Sequence, residues 1–173
     1  MELLLGAGSR HKKLLSFPGR EEFKKLVTLD INEAHSPDVV WDLNNLPLPF
    51  EDNTFDEIHA YEVLEHLGRQ GDWKAWFAEW SEWYRILKPD GFFFGTSPAA
   101  DSVWAWGDPG HTRIVSPEAM TFLEQTAYTE QVGKTAMTDY RFVYKADFEL
   151  IHAKPVDGSF QYALRAVKPS RLT

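Results

Sequence analysis

Four short apolar runs, each stopped by a glycine or an acid, limit this chain more than any other feature. Leu3 to Leu5 runs into Gly6-Ala7-Gly8, Leu26 to Leu29 into Asp30, Asp38 to Trp41 into Asp42-Leu43, and Phe55 to Ala60 into Tyr61-Glu62. Runs this short, with weak alternation, are what strands covered on both faces look like. Strands that end at such residues and then enter loops build a crevice outside the carboxyl ends of an open sheet. A further run, Gly91 to Thr96, ends facing the same way. The expected class is therefore α/β.

With 173 residues the chain fits one domain, 1–173, large enough for a core. A net charge of -8 disfavours non-specific binding to nucleic acid or anionic membrane, which needs clustered Lys and Arg. The absence of Cys excludes disulfides and thiolate metal sites. The apolar start stops at Gly6, too short for a signal peptide or a membrane span, so the expected location is cytoplasmic.

Gly6-Ala7-Gly8 lets backbone approach a ligand where a side chain would block it, although a Gly-x-Gly is equally a plain turn. Asp30, about twenty residues on, strengthens the binding reading, because a carboxylate there can accept from ribose hydroxyls. Pro18-Gly19 interrupts the first connection, leaving only Arg20 to Lys25 for a helix of about two turns. A helix is expected from about Glu62, placing Glu62 and His66 on one face; with no third ligand at metal spacing, no metal is expected. Asp72 caps a helix running to Leu87. Along it Trp73, Trp76, Trp80, Trp83 and Leu87 form one apolar stripe, and Lys74, Glu79, Glu82 and Arg85 are assigned to the opposite face. Ser116 and Pro117 start another helix to about Gln125. Arg141 to Lys154 and Ser159 to Lys168, around a Val156–Ser159 turn, read as an antiparallel hairpin.

Taken together, MELLLGAGSR, VTLDIN, LPLPFEDNTFDEIHAYEVLEHL and ILKPDGFFFGTSP resemble a class I S-adenosylmethionine-dependent methyltransferase of the type 11 kind, over roughly Leu3 to Leu123. Asp108 to Glu118, DPGHTRIVSPE, is similar to an element of many small-molecule methyltransferases. The resemblance implies a doubly wound, Rossmann-like, seven-stranded and mostly parallel sheet with a C-terminal antiparallel hairpin, and S-adenosylmethionine as cofactor. It implies cofactor contacts from Gly6, Ala7, Gly8, Asp30 and Ile31, an adenine site at Asp42 and Leu43, and a rim at Tyr61 and Glu62, with His66 structural. Leu4 and Arg10 depart from the family, which usually has an acid and a third glycine there.

The expected activity is methyl transfer to a small-molecule acceptor, with His111 as the candidate base because a neutral imidazole suits proton removal near neutral pH. Two other readings stay open: a fold-retaining protein that binds the cofactor without turnover, and a nicotinamide-dependent oxidoreductase. The second would need a third glycine and a firm first helix. No Asn-Pro-Pro-Tyr or Asp-Pro-Pro-Tyr follows the fourth strand, which weighs against a DNA-base methyltransferase. The first strand is reached by Leu3, so the helices that usually cover the cofactor are expected to be replaced by the Arg20–Lys25 segment, by the Ser97–Ile114 loop with Trp104 and Trp106, or by a homodimer partner.

Overall fold

The computed structural model describes residues 1–172. Its seven strands are β1 (Glu2–Leu5), β2 (Leu26–Asp30), β3 (Val39–Val40), β4 (Phe55–Tyr61), β5 (Leu87–Pro98), β6 (Phe148–Val156) and β7 (Ser159–Ala166). They form one sheet in the order β3-β2-β1-β4-β5-β7-β6. The first five pair in parallel, and β7 is antiparallel to both β5 and β6. This is the expected architecture. Strand order reverses between β1 and β4, so the crevice at their carboxyl ends is the switch point where such sheets bind ligands.

Alternation along the strands divides the sheet into two unlike faces. Leu3, Ile58 and Phe93 stand in one register row, and Leu5, Leu29 and Ala60 in the next. They meet the helix α1 (Trp73–Ile86), whose Trp80 and Trp83 are fully buried, with the Trp80 ring 4.9 Å from that of Phe93. Asp72 caps α1 as expected, Oδ1 accepting from Ala75 N at 3.0 Å. Trp73 and Trp76 are half-buried at the end of the stripe. Glu79 and Glu82 correct the expected polar face: both are buried, Glu79 against Arg113 and Glu82 against Arg85 and the Leu48 amide.

The other face carries Glu2 and Glu57 in one row, and Leu4, Thr28, His59 and Phe94 in the next. Among the described residues no helix covers it; the expected turns over Arg20–Lys25 do not form, and irregular chain crosses instead. Phe17 packs edge-on against Phe92 and Phe94, and Phe23 against His59. The Lys13 amine lies buried between Glu57 (2.6 Å) and Glu2 (3.1 Å), and His59 Nε2 lies 3.0 Å from Glu57. Burial alone would raise the Glu57 carboxyl, but hydrogen bonds from His59 and Lys13 and the Lys13 charge outweigh it and hold the pKa down to about 2.

Three further elements differ from expectation. No helix starts at Glu62, which has φ +55°; a 3-10 turn over Leu64–His66 follows instead. The helix capped by Ser116 is α3 (Pro117–Thr121) and ends early, a separate α4 occupying Gln125–Gln131. Arg141 to Asp147 precedes the hairpin rather than joining it. Between β5 and α3 lies the short α2 (Trp104–Gly107).

Two outcomes follow for stability. Trp80→Ala empties the centre of the α1 interface and is expected to destabilise the fold by roughly 3 to 5 kcal/mol in urea unfolding. Glu57 has a folded pKa below its ordinary 4.5, so its contribution is fully present above that value and is lost as pH falls from there toward about 2. Unfolding measured at neutral pH and in that acid window should show Glu57→Gln less stable at neutrality and less sensitive to acid than the parent.

Candidate functional site

The carboxyl ends of β1, β2 and β4 surround a cavity of about 260 Å³, lined among others by Gly6, Asp30, Ile31, Asp42, Leu43 and Glu62. Of the residues assigned from sequence, these six therefore come together. Gly6 belongs to the turn rather than the lining alone: its φ is +56°, and a Cβ there would lie 2.6 Å from Val63 Cγ2. Gly8 also has positive φ, with open space where a Cβ would be. Its amide donates to Asp30 Oδ2 at 2.7 Å, so the turn after β1 and the acid after β2 are fixed to each other.

Asp30 is buried yet ionised. Burial raises its carboxyl, but bonds from Asn32 N to Oδ1 (2.8 Å), from Gly8 N to Oδ2, and the His35 contact to Oδ2 (3.1 Å) outweigh that and lower the pKa. A carboxylate offers about four acceptor positions. Three are in use, so one ribose hydroxyl can be accepted directly, and a second requires the half-exposed His35 to give way. At the end of β3, Asp42 Oδ1 takes two bonds from Asn44, leaving Oδ2 without a hydrogen bond among the described residues and available to a donor in the cavity.

Ala7, Gly8 and Tyr61 do not line the cavity. Ala7 is buried under the turn. Tyr61 is directed to the sheet's other face, its hydroxyl 2.7 Å from His59 Nδ1 and 3.4 Å from Leu15 O. Leu4, where the family usually has an acid, is buried beside His59 on that same face.

His66, expected to be purely structural, lines the cavity and packs edge-on against His111, ring centroids 4.6 Å apart. His111 reaches this place because Arg113, two residues on, is pinned. Arg113 donates to both Glu79 oxygens (3.1 and 2.6 Å) and to Leu64 O (2.7 Å), and its guanidinium lies 5.0 Å over the Trp76 ring. Glu65, next to His66, is buried with Oε2 accepting from Ser97 Oγ at 2.9 Å, and burial pushes its carboxyl up to about 7. Sequence reasoning missed Glu65 because nothing local marks it as inward-facing.

The chain matches the family model described as methyltransferase domain over residues 5–95, more than half its length, and it belongs to that family. No curated protein matches it. It is similar in fold to a SAM-dependent methyltransferase from Archaeoglobus fulgidus (17% identity, 95% of this chain and 85% of that one, TM-score 0.57). It is also similar to a structure from Haloferax volcanii of the Trm112 methyltransferase activator with a putative methyltransferase (14%, 96% and 82%, TM-score 0.58). A third likeness is to the N-methyltransferase NodS of Bradyrhizobium japonicum in complex with S-adenosyl-L-homocysteine (16%, 95% and 76%, TM-score 0.52).

The cofactor of this class is S-adenosylmethionine, and the residues present fit it. The cavity joins the glycine turn at Gly6, an ionised acid with one free acceptor position, and Asp42 with an oxygen unpaired among the described residues. Asp30→Ala should therefore weaken S-adenosylhomocysteine binding by about 1.5 to 3 kcal/mol in calorimetry, the range for a bond to a charged group. Unchanged affinity would remove Asp30 from the site.

Proposed function

We propose that this protein transfers a methyl group from S-adenosylmethionine to a small-molecule acceptor. The observation that carries the reading is the pairing of Asp30 and Asp42 at successive strand ends around one cavity, behind a glycine turn that Asp30 itself holds. Asp30 binds the ribose; Asp42 and Leu43 hold the adenine, the acid accepting from its amine and the leucine covering the ring. Gly6 and Gly8 give backbone access to the amino-acid end. When bound, the cofactor supplies a sulfonium-activated methyl that an acceptor nucleophile can take by in-line displacement, so the protein contributes mainly alignment and exclusion of water.

Glu62, Val63 and His66 line the cavity after β4, the side on which we place the acceptor. His111 stands beside His66 and is the side chain best placed to take a proton from an acceptor that needs to lose one. Trp104 and Trp106 on α2 are about two-thirds exposed, at 66% and 65%. They adjoin His111, whose Nδ1 donates to Trp104 O at 2.9 Å, and would bury on closure over an acceptor. No helix among the described residues is long and apolar enough to cross a membrane.

Melting shifts measured side by side with S-adenosylmethionine, S-adenosylhomocysteine and NAD should favour the first two. Screening of acceptors with radiolabelled cofactor then tests transfer. Trp106→Ala is expected to lower turnover far more than it weakens S-adenosylhomocysteine binding. Activity that instead rises steeply with protein concentration would assign closure to a second copy of the chain. Cofactor binding with no transfer to any acceptor would favour a fold-retaining binding protein.

A further inference from the structure

We infer that Glu65, His66 and His111 form a binding site for a divalent first-row transition-metal ion. Each offers one ligand atom, and the three atoms lie within 4.8 Å of one another. Two imidazoles and a carboxylate with open positions are a donor set suited to zinc or ferrous iron, whereas magnesium and calcium prefer all-oxygen surroundings. The sequence reading placed Glu62 with His66 and found no third ligand. The fold corrects both points: Glu62 turns off at positive φ, Glu65 takes its place, and the third ligand arrives from the loop after β5.

Two independent observations point to a ligand. The first is Glu65 Oε1, which is buried with no hydrogen-bond partner in a residue only 2% exposed. A buried carboxylate oxygen left bare is costly, and each such atom calls for a partner. Its other oxygen is oriented by Ser97 Oγ, the kind of outer contact that steadies a ligating carboxylate. The second concerns the imidazoles. His66 Nδ1 lies 3.2 Å from Gly110 O and His111 Nδ1 lies 2.9 Å from Trp104 O. A carbonyl oxygen can only accept, so both Nδ1 atoms carry the proton and both rings keep the Nε2 lone pair for an ion. A histidine fixed through its second nitrogen to a backbone carbonyl is the usual support of a metal ligand.

Ligand atoms around one such ion stand about 3 to 3.5 Å apart, given bonds near 2.0 to 2.2 Å. Closing from 4.8 Å is a shift on the order of 1 Å, within reach of His66 because its side chain is exposed. Asp108 Oδ2 lies 3.9 Å from His111 Nε2 but outside the three-residue group, so it would have to move closer to act as a fourth ligand. Because His66 also lines the proposed cofactor cavity, the ion would sit beside it. An ion held there takes the His111 lone pair, so proton removal by His111 and metal binding are alternatives.

Protein stripped with a chelator and titrated calorimetrically with Zn²⁺, with no cofactor present, tests the site independently of methyl transfer. One equivalent should bind, with Mg²⁺ at least about tenfold weaker. His111→Ala and Glu65→Gln should each weaken Zn²⁺ by at least about tenfold, while His152→Ala, on an exposed stretch of β6, leaves it unchanged. His111 lies in a surface loop, so its variant remains informative if the buried Glu65 variant unfolds. Absence of stoichiometric binding, or binding that His111→Ala does not weaken, overturns the proposal.

Discussion

The bidentate pair between Arg113 and Glu79 holds the loop after β5 against α1 and the turn after β4. Both residues are 4% exposed, and charges this deep are costly unless every donor and lone pair is used. Here the guanidinium spends its donors on two carboxylate oxygens and the Leu64 carbonyl, and its flat face lies over Trp76. Burial raises the Glu79 carboxyl, and the Arg113 charge opposes that. The pair joins α1, the 3-10 turn after β4 and the long loop after β5. The loop backbone then runs along the turn, Thr112 N donating to Glu65 O at 2.8 Å and Gln70 N to Thr112 O at 3.0 Å. His111 meets His66 and Glu65 as a result of this register, without holding it.

The second face of the sheet shows how a parallel sheet can do without one of its helices. A helix satisfies its own backbone, but irregular chain laid on a sheet brings amides and carbonyls that need partners. The strands beneath supply them. Glu2 Oε2 accepts from Lys24 N at 2.8 Å, and Tyr61 Oη accepts from Leu15 N at 3.4 Å while donating to His59 Nδ1 at 2.7 Å. Lys13 and Glu57 neutralise each other within the same layer. The polar residues in β1 and β4 are thus the counterpart of the missing helix, and this work draws Tyr61 away from the cavity.

What was legible in the sequence is what is decided locally. Strand runs, their terminal acids and the Asp72 and Ser116 caps depend on neighbours a few positions away, and they appear where they were read, although β3 shrinks to Val39–Val40 and β5 lengthens to Leu87–Pro98. Glu79 and Glu82 looked solvent-facing because helical periodicity cannot see partners that arrive from Arg113 and from the Leu48 amide. Val63-Leu64-Glu65-His66 looked helical because its composition suits a helix. Yet Val63 must sit against Gly6, and the chain satisfies that contact by turning at Glu62 with positive φ. The meeting of His66 with His111 depends on a loop whose course is set by a buried ion pair, which no spacing rule encodes.

The two halves of the site therefore rest on different physics. The half proposed to hold the cofactor is built on strand ends whose positions follow from the sheet, and Asp30 is locked by two amides before any ligand arrives. Little rearrangement is required there beyond the release of His35. The half proposed to receive the acceptor is built on a 3-10 turn and a loop, with exposed tryptophans on one side and a bare carboxylate oxygen beneath. Its order comes from a single buried ion pair and a few backbone bonds. A scaffold divided in this way can keep one cofactor while the loop from Ala99 to Thr112 changes what is brought to it, because alterations beyond Arg113 leave the strand ends undisturbed.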